Sequence, residues 1–157
     1  MEKLKGSEFR EYYRERTKKE GGGDWVYAWG LKGLPTKIGY TSGNPHKRVQ
    51  GCVDSRIFSS PNFDMVAFNV ANKPISKGEL ETRAHFIATL QYGQALEVLK
   101  TGLYNGQRLR SGRTEVFSCS VQEASEVIFK ALRMTKDQSK EMAKLARLNI
   151  TRFLNSF

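Results

Sequence analysis

Two short runs of β-favouring residues flank a break rich in glycine and proline, and no other stretch constrains the fold of this chain as tightly. Trp25, Val26, Tyr27, Ala28 and Trp29 form the first run, and Thr36, Lys37, Ile38, Gly39, Tyr40 and Thr41 the second. Gly30, Gly33 and Pro35 interrupt extended backbone between them, so the pair predicts a hairpin. If Tyr27 pairs with Lys37 across it, a phenol and an ammonium share one face within reach of each other. A plain structural hairpin rarely needs that combination, although Tyr27 also suits a core aromatic. Just beyond, Asn44 fits an N-cap and Pro45 the first helical position. The predicted helix carries His46, Lys47 and Arg48 on its first turn, with Val49 and Cys52 seating it on the core.

Charge narrows the partners. Among 157 residues, Lys plus Arg number 26 against 16 Asp plus Glu, a net charge of +10. Such an excess favours a polyanionic partner, nucleic acid before an anionic membrane surface, over an ordinary solvated surface. No run of apolar residues is long enough to span a bilayer. The N-terminal stretch lacks the apolar segment of a secretory signal. Two cysteines, Cys52 and Cys119, make neither a disulfide framework nor a zinc site, which fits a reducing cytoplasm.

The length predicts one domain with a helical appendage. Residues 7 to 20 predict a charged helix with an apolar stripe of Phe9, Tyr12 and Tyr13. Gly21, Gly22 and Gly23 then release it, as an arm that either packs on the core or touches a nucleic-acid backbone. In the segment from Phe63 to Val70, Val66, Phe68 and Val70 alternate with Asp64, Ala67 and Asn69, a third strand. Ser76 and Glu79 form a capping-box pattern for a helix to Tyr92, with Leu80, Ala84, Ile87 and Ala88 inward. Residues 93 to 113 are glycine-rich and basic, with a turn at Asn105-Gly106. Thr114 to Cys119 reads as a short edge strand. Ser120 and Glu123 cap a helix to Met134 with Val121, Ala124, Val127, Ile128, Ala131 and Leu132 buried. A last helix from Lys136 to Leu154 turns Met142, Leu145, Ala146 and Phe153 to the core.

A tyrosine on one strand, a second strand ending in Ile-Gly and an arginine on the following helix resemble the GIY-YIG nuclease signature. Here it is written Val26-Tyr27, Lys37-Ile38-Gly39 and Arg48. KIGYTSGNPHKR is most similar to the phage and bacterial branch, in which lysine stands for the second tyrosine, and the resemblance spans residues 25 to 120. It implies an α/β (α+β) fold: a small, mostly antiparallel three-stranded sheet flanked by helices. Residues 1–23 would be the charged arm, 24–120 the catalytic domain and 121–157 extra C-terminal helices packed on it. It also implies a metal-dependent endonuclease cutting DNA (RNA is the alternative) with Mg²⁺ or Mn²⁺, encoded by a phage or mobile element and working in the bacterial or phage-infected cytoplasm. A catalytically silent nucleic-acid-binding module is the alternative, as is a phage protein that binds a host protein.

Phosphodiester hydrolysis needs an aligned water, cations to offset charge on phosphorus and a stabilised leaving oxygen. By the resemblance, Glu81 is the metal ligand, because the family sets its single carboxylate on a helix well after the hairpin. Glu79 competes, but its capping position gives it a structural job. His85, one turn after Glu81, faces the same cleft and either touches phosphate or packs. Tyr27 positions or deprotonates the water, and an adjacent Lys37 would favour its phenolate. Tyr40 is a weaker candidate for a phosphate hydrogen bond, because strand alternation sets it opposite Lys37. Arg48 is the electrostatic clamp, since guanidinium bonds phosphoryl oxygens in pairs. Glu115, in RTEVF, reads as structural or supporting. Lys47, Lys100, Arg108, Arg110 and Arg113 are the basic residues expected to grip backbone phosphates.

Overall fold

The computed structural model describes residues 7–155. In chain order, helix α1 is Ser7–Glu20, strands β1 and β2 are Trp25–Leu31 and Thr36–Thr41, and helices α2 and α3 are Pro45–Cys52 and Ser55–Phe58. Strand β3 is Phe63–Asn69, helices α4 and α5 are Lys77–Gln91 and Leu96–Thr101, and the hairpin strands β4 and β5 are Leu103–Tyr104 and Gln107–Arg108. A 3-10 turn at Arg113–Glu115 leads into β6, Val116–Phe117, and then into helices α6, Val121–Leu132, and α7, Lys136–Asn155. The main sheet is antiparallel in the order β3-β1-β2-β6. It therefore has four strands, not three, because Val116 and Phe117 pair with Lys37 and Thr36. The expected edge strand starts two residues late, since Thr114 and Glu115 belong to the 3-10 turn.

Both faces of the sheet are covered, so β1 is buried along its whole length. Trp25, Tyr27, Trp29 and Leu31 join a core with Phe9, Tyr13, Val49, Ile57 and Phe63. Val26, Ala28 and Ile38 join the opposite core, with Leu80, Ala84, Ile87, Val127 and Ile128 from α4 and α6. The same coverage corrects the reading of β3. Ala67, expected on the outer face, is buried with Phe63 and Met65, while Val66 and Phe68 are half-buried. A period-two pattern cannot choose a face when both are packed.

Helix α1 is part of the core. Phe9 meets Phe63 edge-on at 6.0 Å between centroids, and Tyr13 meets Trp25 at 5.4 Å. Leu145, expected inward on α7, is exposed, whereas Ala146 is fully buried and Met142 half-buried. Phe153 lies outside the residues whose side chains are described. Helices α3 and α5 carry no strong signal of their own: one spans four residues, and the other starts without a side-chain cap. No helix among the described residues is long and apolar enough to cross a membrane.

Candidate active site

The hairpin register is the first determinant. Tyr27 lies opposite Gly39, and Lys37 opposite Trp29, so the expected Tyr27–Lys37 pair is displaced by two residues. The cause is the turn. Leu34 N donates to Leu31 O at 2.9 Å, and Gly33 takes the left-handed conformation with φ +80°. That centres the reversal one residue later than a Tyr27–Lys37 pairing needs. Residues two apart still share a face, so Tyr27 and Lys37 are diagonal neighbours, with Nζ 5.9 Å from the ring centroid. Gly39 makes room between them. A Cβ there would lie 2.6 Å from the Tyr27 hydroxyl and 3.0 Å from Lys37 Nζ.

The second determinant is the edge of β2. Strand β6 pairs only with Thr36 and Lys37, so beyond Lys37 this edge is open. The Ile38 carbonyl there accepts from Lys37 Nζ at 3.2 Å and lies 2.9 Å from His85 Nε2. Around an open edge, side chains from both faces of a sheet can meet, and here they line one cleft of about 410 Å³. Tyr27, Lys37 and Arg48 reach it from the α2 side, and Tyr40 and Glu81 from the α4 side, with Glu115 and Thr41 completing the wall. Tyr40 therefore shares the cleft with Lys37 although alternation sets them on opposite faces.

Each group has a structural cause and an electrostatic consequence. Asn44 Oδ1 accepts from His46 N and Lys47 N, fixing the first turn of α2. From that same turn the exposed Arg48 guanidinium donates toward the Tyr27 phenol. Burial, then Cys52, push that phenol up to about 12, and Arg48 is the cation that most opposes them. The expected lowering by Lys37 is therefore reversed, and Tyr27 is a neutral hydroxyl at neutral pH. The Lys37 ammonium pairs instead with the Glu115 carboxylate.

On α4, Ser76 Oγ accepts from Glu79 N, and the Glu79 carboxylate pairs with Arg83 at 2.7 Å. Glu79 is thus occupied away from the cleft. Glu81 is 8% exposed, and burial followed by the approach of Glu115 raises its carboxyl to about 7, with Lys37 opposing. One turn on, His85 stands 4.0 Å from Glu81 but does not line the cleft as expected: its ring packs on Phe117 at 5.4 Å, its Nε2 donates to Ile38 O, and burial lowers its pKa. The ligand atoms of Glu81, His85 and Glu115 lie within 4.8 Å of one another, two carboxylates and an imidazole that could hold a divalent cation. Glu115 is the member that sequence reasoning underrated. Its carboxylate sits next to the β6 residue that pairs with Lys37, a link no local pattern reveals.

Of the expected phosphate-gripping residues, Arg108, Arg110 and Arg113 line an adjoining hollow of about 510 Å³, whose rim at Gly112 and Thr114 leads to Glu115. Arg110 also donates to Gly51 O at 3.2 Å, tying this loop to α2. Lys47 and Lys100 are exposed on α2 and α5, outside both hollows. A larger, mainly apolar hollow of about 610 Å³ lies elsewhere, between α6 and α7 beside Met134 and Met142.

Protein-family models, curated proteins and solved structures contain no match to this chain.

Proposed function

We propose that this protein is a metal-assisted DNA endonuclease of the GIY-YIG type. The observation that carries the reading is the meeting of Tyr27, Lys37, Arg48 and Glu81, from four separate elements, in one polar cleft. Arg48 is exposed at its rim, where a phosphodiester can be gripped by paired guanidinium hydrogen bonds. The Tyr27 hydroxyl, neutral and held by burial over Gly39, positions the attacking water rather than taking its proton. Lys37 and Arg48 offset charge gathering on the phosphoryl oxygens. Glu81 would hold Mg²⁺ or Mn²⁺, which supplies Lewis-acid stabilisation of the leaving oxygen. Arg108, Arg110 and Arg113 supply backbone grip beside the cleft, without sequence readout.

The test is plasmid nicking in Mg²⁺ or Mn²⁺. Glu81→Ala is expected to cut about 100-fold more slowly or worse, consistent with loss of a single transition-state stabiliser. Unchanged cutting removes the metal assignment. A second reading, a silent nucleic-acid-binding module, draws support from the Lys37–Glu115 pair, which occupies the ammonium. DNA binding without cleavage on varied substrates, in either metal, favours it.

A further inference from the structure

We infer that the Tyr40 ring stacks on an unpaired nucleobase beside the phosphate held in the cleft, so that the substrate is DNA with an unpaired nucleotide at that point. The inference rests on the nucleic-acid reading of the cleft and names the substrate class that this reading leaves open.

Three observations carry it. The first is exposure. Of the six tyrosines, Tyr13, Tyr27 and Tyr104 are buried and Tyr12 and Tyr92 half-buried, whereas Tyr40 is 45% exposed. Among the described residues its ring meets no other aromatic. The Lys77 ammonium, anchored to Asp24 at 3.2 Å, stands 6.0 Å from its centroid.

The second is place. Single exposed apolar side chains are ordinary, and Leu96, Leu103, Phe129, Leu145 and Leu148 are exposed on α5, β4, α6 and α7. Of this group only Tyr40 lines the cleft, together with Lys37 and Arg48. It lies on β2 beyond the two residues that β6 pairs, so no strand covers its flank. Cations for the backbone with an exposed aromatic beside them are the combination that holds single-stranded nucleic acid.

The third is size. At about 410 Å³ the cleft has the capacity of a small-molecule site. One nucleotide fits it; a base pair with both its backbones does not. In continuous duplex each base has its faces covered by its neighbours, so the ring can stack only on a base that has left the helix or never paired. This assigns the ring of Tyr40, where the expected phosphate hydrogen bond would use its hydroxyl.

The test uses the full chain in EDTA, where no metal assists cutting, and the fluorescent base aminopurine. One probe is a duplex carrying aminopurine as a single unpaired bulge, and the other is the fully paired duplex. The wild type is expected to bind the bulged duplex at least about tenfold more tightly and to quench its fluorescence. Tyr40→Ala should lose about tenfold on the bulged duplex and little on the paired one, while Tyr40→Phe keeps both the preference and the quenching. Equal binding of the two duplexes by the unaltered protein overturns the inference, and that comparison does not depend on how any variant folds. Quenching that survives Tyr40→Ala overturns it as well, and a Tyr40→Phe variant as weak as Tyr40→Ala assigns the hydroxyl instead. Selective, quenched binding without plasmid nicking in either metal leaves this inference standing and removes the hydrolase reading; nicking with no preference for the unpaired base does the reverse.

Discussion

At Gly39 the absence of one methyl group decides where the Tyr27 phenol can lie. Gly39→Ala would press a carbon onto the hydroxyl at 2.6 Å and onto Cζ at 2.7 Å. The ring cannot retreat into a packed core, so the variant is expected to lose about 1–3 kcal/mol in urea denaturation. Glu81 makes a prediction with a definite sign. Its folded carboxyl titrates at about 7 against an ordinary 4.5, so the folded protein binds its proton more tightly than the unfolded chain does. That contribution to stability is fully present below the ordinary value and is lost as pH rises through about 7. Glu81→Gln removes the ionisation. Its melting temperature is expected to exceed that of wild type at about pH 8 and to converge with it at about pH 4. Melting curves across that range, without divalent metal, provide the check; equal melting temperatures at the alkaline end reject it. The residue types of the cleft were legible because tyrosine, lysine and Ile-Gly stand out on strands. The register was not, since Gly30, Gly33 and Pro35 all mark the loop and only the conformation of Gly33 centres it.

Among the elements, α2 depends most on one side chain. Asn44 caps its first turn through Oδ1, while its Nδ2 donates to Arg10 O at 2.8 Å, so it also fastens α1. Asn44→Ala is expected to cost about 1–2 kcal/mol, and Asn44→Ser, which keeps the cap and loses the tie, to cost less. Chemical denaturation of the pair separates the two roles; identical losses would leave the cap with no part in the stability. Helices α4 and α6 were readable because Leu80, Ala84, Ile87 and Ala88, and Val121, Ala124, Val127, Ile128 and Ala131, keep helical spacing and are all buried. Leu145 on α7 follows the same spacing and is exposed. Periodicity names a stripe, and only a facing element determines whether it is buried. Strand β6 was legible as extended chain, but its partner and its short reach were not, because both depend on pairing with Thr36 and Lys37, far back in the chain.

Across the whole molecule, the net charge of +10 was plain in the sequence, whereas its gathering of three arginines beside the cleft was not. If these arginines contact phosphates, the logarithm of DNA affinity should fall with the logarithm of salt. Replacing Arg108, Arg110 and Arg113 together by alanine should reduce that slope by about 2–3. Anisotropy titrations at several salt concentrations measure it, and an unaltered slope would mean that DNA passes elsewhere. The two-residue reach of β6 has a consequence in time. Synthesis runs from the N-terminus, so Tyr27, Lys37, Arg48 and Glu81 all leave the ribosome before Glu115 does. Until then the nascent chain has its cations and one acid, but lacks the carboxylate that pairs with Lys37 and closes the wall. A chain truncated before residue 115 would carry Tyr27, Lys37, Arg48 and Glu81 with the Lys37 ammonium left uncompensated and one wall of the cleft missing.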